Sequence, residues 1–343
     1  MRLYIFGLYF LGLGLCCLTA CQSKQNTSTQ KKQPTLAAKK EALQNEARFP
    51  EFKRLVCISE LMIDAVRAFG DSDRIVAIDR SYPHLLHLSL PKVGYKNTLK
   101  AAHILKHQPD AVFSDWEGSP EEVVQALAEK KLPYFLYHQP EDVTSLKSFL
   151  TDLGRKLNKP NTAKLLIRNL DKDLSTIRKM RKNRKDSLRV LYVHARGPQT
   201  MMFAGWNTVP NALIQMCGAK NAAADYESME RLDEEEIAYL NPDFILMSRQ
   251  SFQSFAGKIY QAVALTKLLA YRLGRVIILE ESELLNLGAG AGKVALKIAE
   301  KLYTQQYFEP LPVLPGPYSD EPGQGPAPVV KNPSREIEII DQN

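Results

Sequence analysis

A helical segment, a Pro-Asp pair and a short apolar run follow one another twice in this chain, and this repeat strongly constrains the fold. The first copy spans residues 104–113 and the second spans residues 237–246. Proline cannot continue a helix, and each apolar run that follows has the length of a buried strand. At nearly the same spacing, the apolar run at Val56 corresponds to the run at Val190. The repeat predicts two similar lobes.

Apolar, β-branched runs alternate with helical patterns through both copies of the repeat. This alternation predicts α/β lobes with largely parallel sheets, whose ligands lie beyond the carboxyl ends of the strands. The predicted strands are residues 54–59, 74–78, 111–113, 134–137, 189–193, 244–247 and 276–279.

One long helix is predicted between the lobes. Residues 161–185 contain no Gly or Pro, and Leu166, Leu170, Leu174 and Ile177 recur along one helical stripe. A helix of that length spans about 30–37 Å, enough to join two lobes. We therefore expect a first lobe at 50–158, a bridging helix at 159–186, a second lobe at 187–308 and a cleft between the lobes. We interpret the basic residues of the helix as a solvated face.

The first residues have the order of a signal peptide. One positive charge at Arg2 precedes an apolar run, which ends at Leu18-Thr19-Ala20-Cys21. This pattern resembles a bacterial lipoprotein signal, with an ordinary secretory signal as the alternative. It implies a signal peptide at 1–20, acylation of Cys21, a flexible spacer at 21–49 and an extracytoplasmic, membrane-anchored protein. Residues 309–343 are predicted to form a Pro-rich tail.

Composition agrees with a folded extracytoplasmic protein. Of 343 residues, 45% are apolar and 24% charged, which excludes collagenous, wholly disordered and polytopic membrane classes. The net charge of +7 is scattered along the chain and does not indicate a nucleic-acid partner. After signal removal and acylation of Cys21, Cys57 and Cys217 remain, and both are predicted to be buried free thiols.

Several short elements, in order and spacing, resemble one family. They are Asp79-Arg80-Ser81-Tyr82-Pro83, Leu90-Pro91-Lys92-Val93-Gly94-Tyr95, the two Pro-Asp elements, Ala204-Gly205, Cys217-Gly218-Ala219-Lys220-Asn221 and Leu287-Gly288-Ala289-Gly290. The chain resembles the bacterial substrate-binding lipoproteins of metal-chelate ABC importers, the class with a bridging helix, and is most similar to the haem-binding members. The resemblance implies a transported iron chelate, haem in this subgroup, an ABC permease as partner and no intrinsic cofactor.

The resemblance also implies an iron ligand. In the haem-binding members, a Tyr immediately before Pro is an axial ligand, and Tyr82 holds that position. A phenolate oxygen suits ferric iron, and Arg80 is expected to favour the deprotonated form. In the second lobe, Arg196 stands where some relatives place a ligating His, and His194 lies two residues earlier. We expect Arg196 to bind a propionate or the phenolate, and we keep His194 as an alternative ligand.

Further expectations concern the pocket and the permease. Trp116, Met201, Met202, Phe203 and Trp206 are expected in loops facing the cleft, where they would clamp a porphyrin. Arg249 is a candidate partner for a propionate. The resemblance also implies one acidic docking residue per lobe. Glu235 matches in the second lobe, Ala102 stands in its place in the first, and Asp64 or Glu60 is the candidate substitute.

Three other functions stay open at this point. The chelate can be a siderophore or cobalamin. A cell-surface haem acceptor without a permease, or a cell-surface adhesion component, would explain Ala102 and the unusual tail. Direct binding of a transition metal would use some of the six histidines: His84, His87, His103, His107, His138 and His194. No nucleophile, base and orienting group recur in a pattern that favours an enzyme.

Overall fold

The computed structural model describes residues 49–85, 88–116, 120–182, 187–257 and 259–304. The predicted signal peptide at 1–20, the acylation site Cys21, the spacer up to residue 48 and the tail at 309–343 lie outside the described residues, as does His87. No membrane-crossing helix is found among the residues described.

The first lobe contains a four-stranded, fully parallel sheet in the order β2-β1-β3-β4. Its strands are β1 (Leu55–Cys57), β2 (Ile75–Ile78), β3 (Ala111–Asp115) and β4 (Tyr134–Tyr137). Its helices are α1 (Glu60–Ala68), α2 (Ala101–Leu105), α3 (Glu121–Glu129) and α4 (Val143–Lys156), with short 3-10 turns at Ser72–Arg74, Pro83–Leu85 and Lys96–Thr98. Strand β1 is completely buried because helices cover both faces of a parallel sheet.

Helix α5 (Pro160–Arg181) connects the lobes in sequence and is 22 residues, or about 33 Å, long. Pro160 occupies its first turn, where the missing N–H costs no hydrogen bond. Its apolar stripe, including Leu170 and Leu174, packs against helices on both sides. Gly154 lets α4 approach closely, because a Cβ there would lie 2.6 Å from the Cβ of Ala163.

The second lobe contains a six-stranded mixed sheet. Its strands are β5 (Arg189–Ala195), β6 (Met201–Ala204), β7 (Lys220–Asn221), β8 (Met229–Glu230), β9 (Phe244–Ser248) and β10 (Val276–Leu279). Strands β10, β9 and β5 run parallel, β7 pairs with β5, and β6 and β8 extend the sheet in antiparallel fashion. Its helices are α6 (Val209–Met216), α7 (Glu234–Leu240), α8 (Arg249–Ser254), α9 (Val263–Thr266), α10 (Leu269–Arg272), α11 (Glu281–Leu284) and α12 (Ala291–Tyr303), with a 3-10 turn at Ile259–Gln261.

The Pro-Asp repeat has the same structural role in both lobes. Asp110 accepts hydrogen bonds from the backbone N–H groups of Lys53 at 2.6 Å and Arg54 at 3.0 Å, just before β1. Asp243 accepts from the N–H of Arg189 at 2.8 Å, at the start of β5. Each carboxylate thereby joins the Pro-Asp turn to the first strand of its lobe. The prediction of two similar α/β lobes joined by a long helix is confirmed.

One local expectation is wrong. Met201, Met202 and Phe203 do not lie in a loop but form β6, which turns back on β5 and pairs Val193 with Phe203 and His194 with Met202. The side chain of Phe203 is buried in the core of the second lobe. The apolar run pairs here because the short turn after β5 returns the chain along the same sheet. The prediction for Cys57 and Cys217 is confirmed, since both thiols are free and buried.

Candidate functional site

A cleft of about 960 Å³ is lined by residues of both lobes. In the first lobe, its wall follows the carboxyl ends of three parallel strands: Tyr82 comes after β2, Asp115 ends β3, and His138 follows β4. In the second lobe, Arg196 follows β5 and Glu281 follows β10. The cleft thus lies where parallel α/β sheets commonly bind ligands.

Tyr82 lies on the wall of the cleft, partly buried against the core. The backbone N–H of Glu60, the first residue of α1, is close enough to this hydroxyl to influence its pKa. Burial raises the pKa of the Tyr82 hydroxyl, the carboxylates of Asp79 and Asp115 raise it further, and the Glu60 N–H lowers it. The phenol is therefore protonated while the cleft is empty, and a cation beside the oxygen would favour the phenolate.

The loop that carries Tyr82 is held by Asp79, which is buried at the end of β2. The two oxygens of Asp79 accept from the N–H groups of Ser59 and Ser81, each at 3.2 Å. Ser59 has a φ of 92°, an uncommon backbone conformation for a residue with a side chain. Asp79 thus connects the strained turn before α1 with the loop before Tyr82. This connection sets the position of the Tyr82 ring relative to α1.

Glu60 and His84 form a second polar group on the same wall. The Nε2 atom of His84 lies 2.8 Å from Oε1 of Glu60. Burial raises the pKa of Glu60 to about 8, with further contributions from Asp64, Glu281 and Asp79. The floor of the cleft therefore concentrates carboxyl groups from both lobes.

Arg196 and Glu281 form the opposite wall. The Nη2 atom of Arg196 lies 2.7 Å from Oε1 of Glu281, and the Arg196 side chain is 49% exposed. The hydroxyl of Ser248 lies 3.2 Å from Oε2 of Glu281, so both carboxylate oxygens have partners. The ion pair with Glu281 thus fixes the orientation of the guanidinium on the cleft wall.

Of the two tryptophans, Trp116 lines the cleft and Trp206 does not. Trp116 lines it, is 60% exposed and has its ring 5.3 Å from the ring of His138. Trp206 is 49% exposed and pairs through its backbone with Glu227, while the next residue, Asn207, lines the cleft. Trp116 and His138 together present exposed aromatic surface, with ring planes inclined by 45°, against which a planar ligand can pack.

Four other predicted site residues lie outside the described cleft wall. Arg80 is exposed, with its guanidinium 5.7 Å from the ring centre of Tyr95. Arg249 pairs with Glu280 at 2.6 Å on the surface, while its neighbour Gln250 lines the cleft. His194 and Met202 face each other across β5 and β6. Burial lowers the pKa of His194, and Arg196 lowers it further.

The predicted docking residues have different surroundings. Glu235 is exposed in the first turn of α7, and Ala102 is exposed on α2. Asp64 instead faces the second lobe, where the amide of Asn286 donates to its Oδ2 at 3.1 Å. Burial raises the pKa of Asp64. Asp64 therefore joins the two lobes through Asn286, which lines the cleft.

Sequence reasoning missed Glu60, Glu281 and Asn286 as cleft residues. One signal was available, because Glu60 and Glu281 each begin a helix shortly after a parallel strand. Of the histidines considered for direct metal binding, His84 and His138 line the cleft. Among the residues described, no group of three or more His, Cys, Asp or Glu side chains has an arrangement that could hold a metal ion.

Two α/β lobes, a connecting helix and a ligand-sized cleft between the lobes define a two-lobed binding protein. The chain belongs to the periplasmic binding protein family, which matches residues 55–283. It is similar to the uncharacterized ABC transporter substrate-binding lipoprotein YvrC of Bacillus subtilis, with 21% identity over 57% of this chain. That match spans 63% of the relative, less than two thirds of its length.

Solved structures share the fold. The periplasmic heme-binding protein RhuT from Roseiflexus sp. RS-1, in its apo form, has a TM-score of 0.65 and 23% identity, covering 73% of this chain and 98% of that one. The periplasmic heme-binding protein HutB of Vibrio cholerae has a TM-score of 0.66 and 22% identity, with coverage of 73% and 98%. At these identities the similarity establishes the fold of the two lobes.

Proposed function

We propose that this chain is an extracytoplasmic binding protein that captures an iron chelate, haem, and delivers it to an ABC permease. The observation that carries the proposal is the placement of Tyr82, which lies on the wall of the cleft between the two lobes. A phenolate is a hard anionic oxygen donor that suits ferric iron. The heme-binding proteins with the same fold make this chelate the first to test.

The cleft has properties that suit a porphyrin. Its volume of about 960 Å³ lies in the range of small-molecule sites, about 300–1,000 Å³. Trp116 and His138 offer aromatic surface at the rim. Arg196, held by Glu281, would meet a propionate as a charged donor, and charged hydrogen bonds of this kind contribute about 1.5–3 kcal/mol. The cleft volume matches the size of the ligand, the aromatic surface would contact its ring, and Arg196 would bind its propionate.

Ferric iron would also supply the positive charge that a phenolate at Tyr82 needs. Buried carboxylates raise the pKa of Tyr82, so a phenolate there needs a strong local positive charge. A ferric centre supplies that charge when bound, and the Glu60 N–H stabilises the same oxygen. Arg80 lies over the ring of Tyr95, so the proposed phenolate is stabilised by the iron and the Glu60 N–H.

The N-terminal sequence and the family of the chain support a location and a partner. The lipoprotein-like N-terminus and the lipoprotein relative support acylation at Cys21 and a membrane anchor. Membership of the periplasmic binding protein family supports a permease partner. Glu235 is exposed and available for docking, whereas Ala102 leaves the first lobe without the matching carboxylate. A cell-surface haem acceptor without a permease is the variant of the proposal that Ala102 favours.

The carboxylates favour a second candidate ligand. Glu60, Asp79 and Asp115 oppose an anionic ligand near Tyr82, which favours a siderophore or cobalamin chelate of neutral or positive charge. Such a chelate would not depend on a phenolate ligand. The two candidates therefore differ in their need for the Tyr82 hydroxyl.

The tryptophans allow a direct test with the purified mature protein. Haemin, cobalamin and a ferric siderophore are each titrated into two single-tryptophan variants while tryptophan fluorescence is measured. In Trp206→Phe the remaining fluorophore is Trp116. In the matched control, Trp116→Phe, it is Trp206. We expect haemin to give a saturable absorbance change and to quench Trp116 more strongly than Trp206. Saturable binding of another chelate with no haemin binding would contradict the proposal.

A further inference from the structure

The exposed side of helix α5 carries a continuous row of cations. Leu170, Leu174 and Ile177 face the core, where α5 packs against α4 and α12. At 100° per residue, five exposed basic residues lie within about 70° of the opposite direction. We name them the basic stripe: Lys164, Arg168, Lys172, Lys179 and Lys182.

The basic stripe is not neutralised within the described part of the chain. None of its five cations forms an ion pair with a carboxylate described there. The acidic residues of α5 lie off the stripe: Asp171 binds Lys147 at 2.5 Å, and Asp173 lies beside Gly292 of α12. The stripe therefore presents an uncompensated positive field to solvent.

One apolar side chain lies in the same face. Leu165 is 48% exposed between Lys164 and Arg168 in sequence. A surface that combines cations with an exposed apolar side chain suits the boundary between lipid headgroups and acyl chains, where each type finds a favourable partner. A nucleic acid would use the cations alone, without a role for Leu165.

The chain joins the domain at the beginning of this helix. The amide of Asn158, two residues before Pro160, donates to the carbonyl oxygens of Phe49 at 2.9 Å and Pro50 at 3.4 Å. The ring of Phe49 packs edge-on against Phe135, 5.9 Å away. The segment that links Cys21 to the domain therefore attaches beside the first turn of α5, where Lys164 begins the stripe.

We propose that the basic stripe docks on the anionic headgroups of the membrane that carries the anchor. The proposal rests on the proposed acylation of Cys21, because a tether raises the local concentration of the domain and makes a weak surface attraction effective. Lys and Arg residues are attracted to anionic lipid within about one Debye length of the surface. The bridging helix then lies against the membrane.

Headgroup quenching tests the docking in the full mature protein. A fluorophore is attached at Asn169→Cys, which is exposed beside the stripe, while the native Cys57 and Cys217 are buried. The protein is reconstituted through its own anchor into vesicles that carry a headgroup-linked quencher. The vesicles contain phosphatidylcholine alone or with phosphatidylglycerol. We expect at least twofold stronger quenching on the anionic vesicles, decreasing as salt is added.

Two variants locate the effect. Lys164→Gln, Arg168→Gln and Lys172→Gln together should abolish the difference between the two vesicles. The matched control, Lys53→Gln, Lys106→Gln and Lys130→Gln, removes the same number of exposed charges elsewhere and should keep the difference. Equal quenching on both vesicles, or a difference that survives loss of the stripe, would contradict the proposal. Failure to float with neutral vesicles would contradict the anchor alone, since the anionic vesicles still report on the stripe.

Discussion

Arg196 and Glu281 form an ion pair on the second-lobe wall of the cleft, with Nη2 2.7 Å from Oε1. The same guanidinium donates from Nη1 to the carbonyl oxygen of Ala195 at 3.0 Å. Because Ser248 lies within hydrogen-bonding distance of the other carboxylate oxygen, the pair is fixed at both ends. An anionic ligand group therefore meets a cation whose orientation costs little further side-chain entropy.

Arg196→Gln should weaken haemin binding by about tenfold, which corresponds to about 1.4 kcal/mol. The reason is the loss of a charged donor to a propionate. Haemin titration of both proteins measures the effect, and the dimethyl ester of haemin, which lacks propionate charges, serves as the matched ligand. An equal loss of affinity for the ester would show that Arg196 does not act through a propionate.

Glu60 should make the empty protein less stable as pH rises. Its pKa is raised in the folded state to about 8, so between about pH 4.5 and pH 8 the folded state holds more protons than the unfolded state. The free energy of unfolding then falls as pH increases through this window. Asp64, Asp79 and Glu281 contribute to this rise in pKa.

Urea unfolding at several pH values measures this contribution. Glu60→Gln should match the wild type near pH 4.5 and exceed its stability by more than about 1 kcal/mol above pH 8. Glu129→Gln, an exposed position at the end of α3, should follow the wild type at every pH. A Glu60→Gln profile parallel to the wild type would refute the assignment.

Gly205 should be intolerant of any side chain. An added Cβ would lie 2.0 Å from the carbonyl oxygen of Tyr226, which is backbone and cannot move freely. Overpacking of this kind costs about 1–3 kcal/mol, so Gly205→Ala should lower the free energy of unfolding by at least that amount. At Gly290 an added Cβ meets nothing within 4 Å, and Gly290→Ala should leave stability unchanged or slightly higher. Similar effects of both substitutions in thermal unfolding would argue against this packing.

The fold was predictable because its signals are local. The predicted strands at 134–137 and 276–279 agree with β4 (Tyr134–Tyr137) and β10 (Val276–Leu279), since β-branched and aromatic runs bounded by turns define buried strands. The Pro-Asp repeat also predicted correctly that a helix ends and a strand follows, because both signals are encoded nearby, whereas the bonds of the Asp110 and Asp243 carboxylates were not predicted. The antiparallel pairing of β6 was not predictable in this way, since it depends on the path of the chain after β5.

The candidate site was predictable only in part. Tyr82, Trp116 and Arg196 were named from the sequence, and they line the cleft. Glu60 and Glu281 read as first-turn residues of helices, where acidic side chains are common. Their placement on one cleft depends on how the lobes are arranged, and the contact of Asp64 with Asn286 joins residues 222 positions apart. Such contacts depend on the tertiary arrangement of the chain, which local sequence patterns do not specify.

The most direct test compares the haemin complexes of wild type, Tyr82→Phe and Tyr95→Phe by absorption spectroscopy and titration. Tyr95 is the matched control, because it is a 51% exposed tyrosine of the same lobe that lies under Arg80. We expect Tyr82→Phe to lose the phenolate-to-iron charge-transfer band and more than about tenfold in affinity, or about 1.4 kcal/mol. Tyr95→Phe should retain both. A Tyr82→Phe complex with the wild-type spectrum and affinity would contradict coordination of iron by Tyr82.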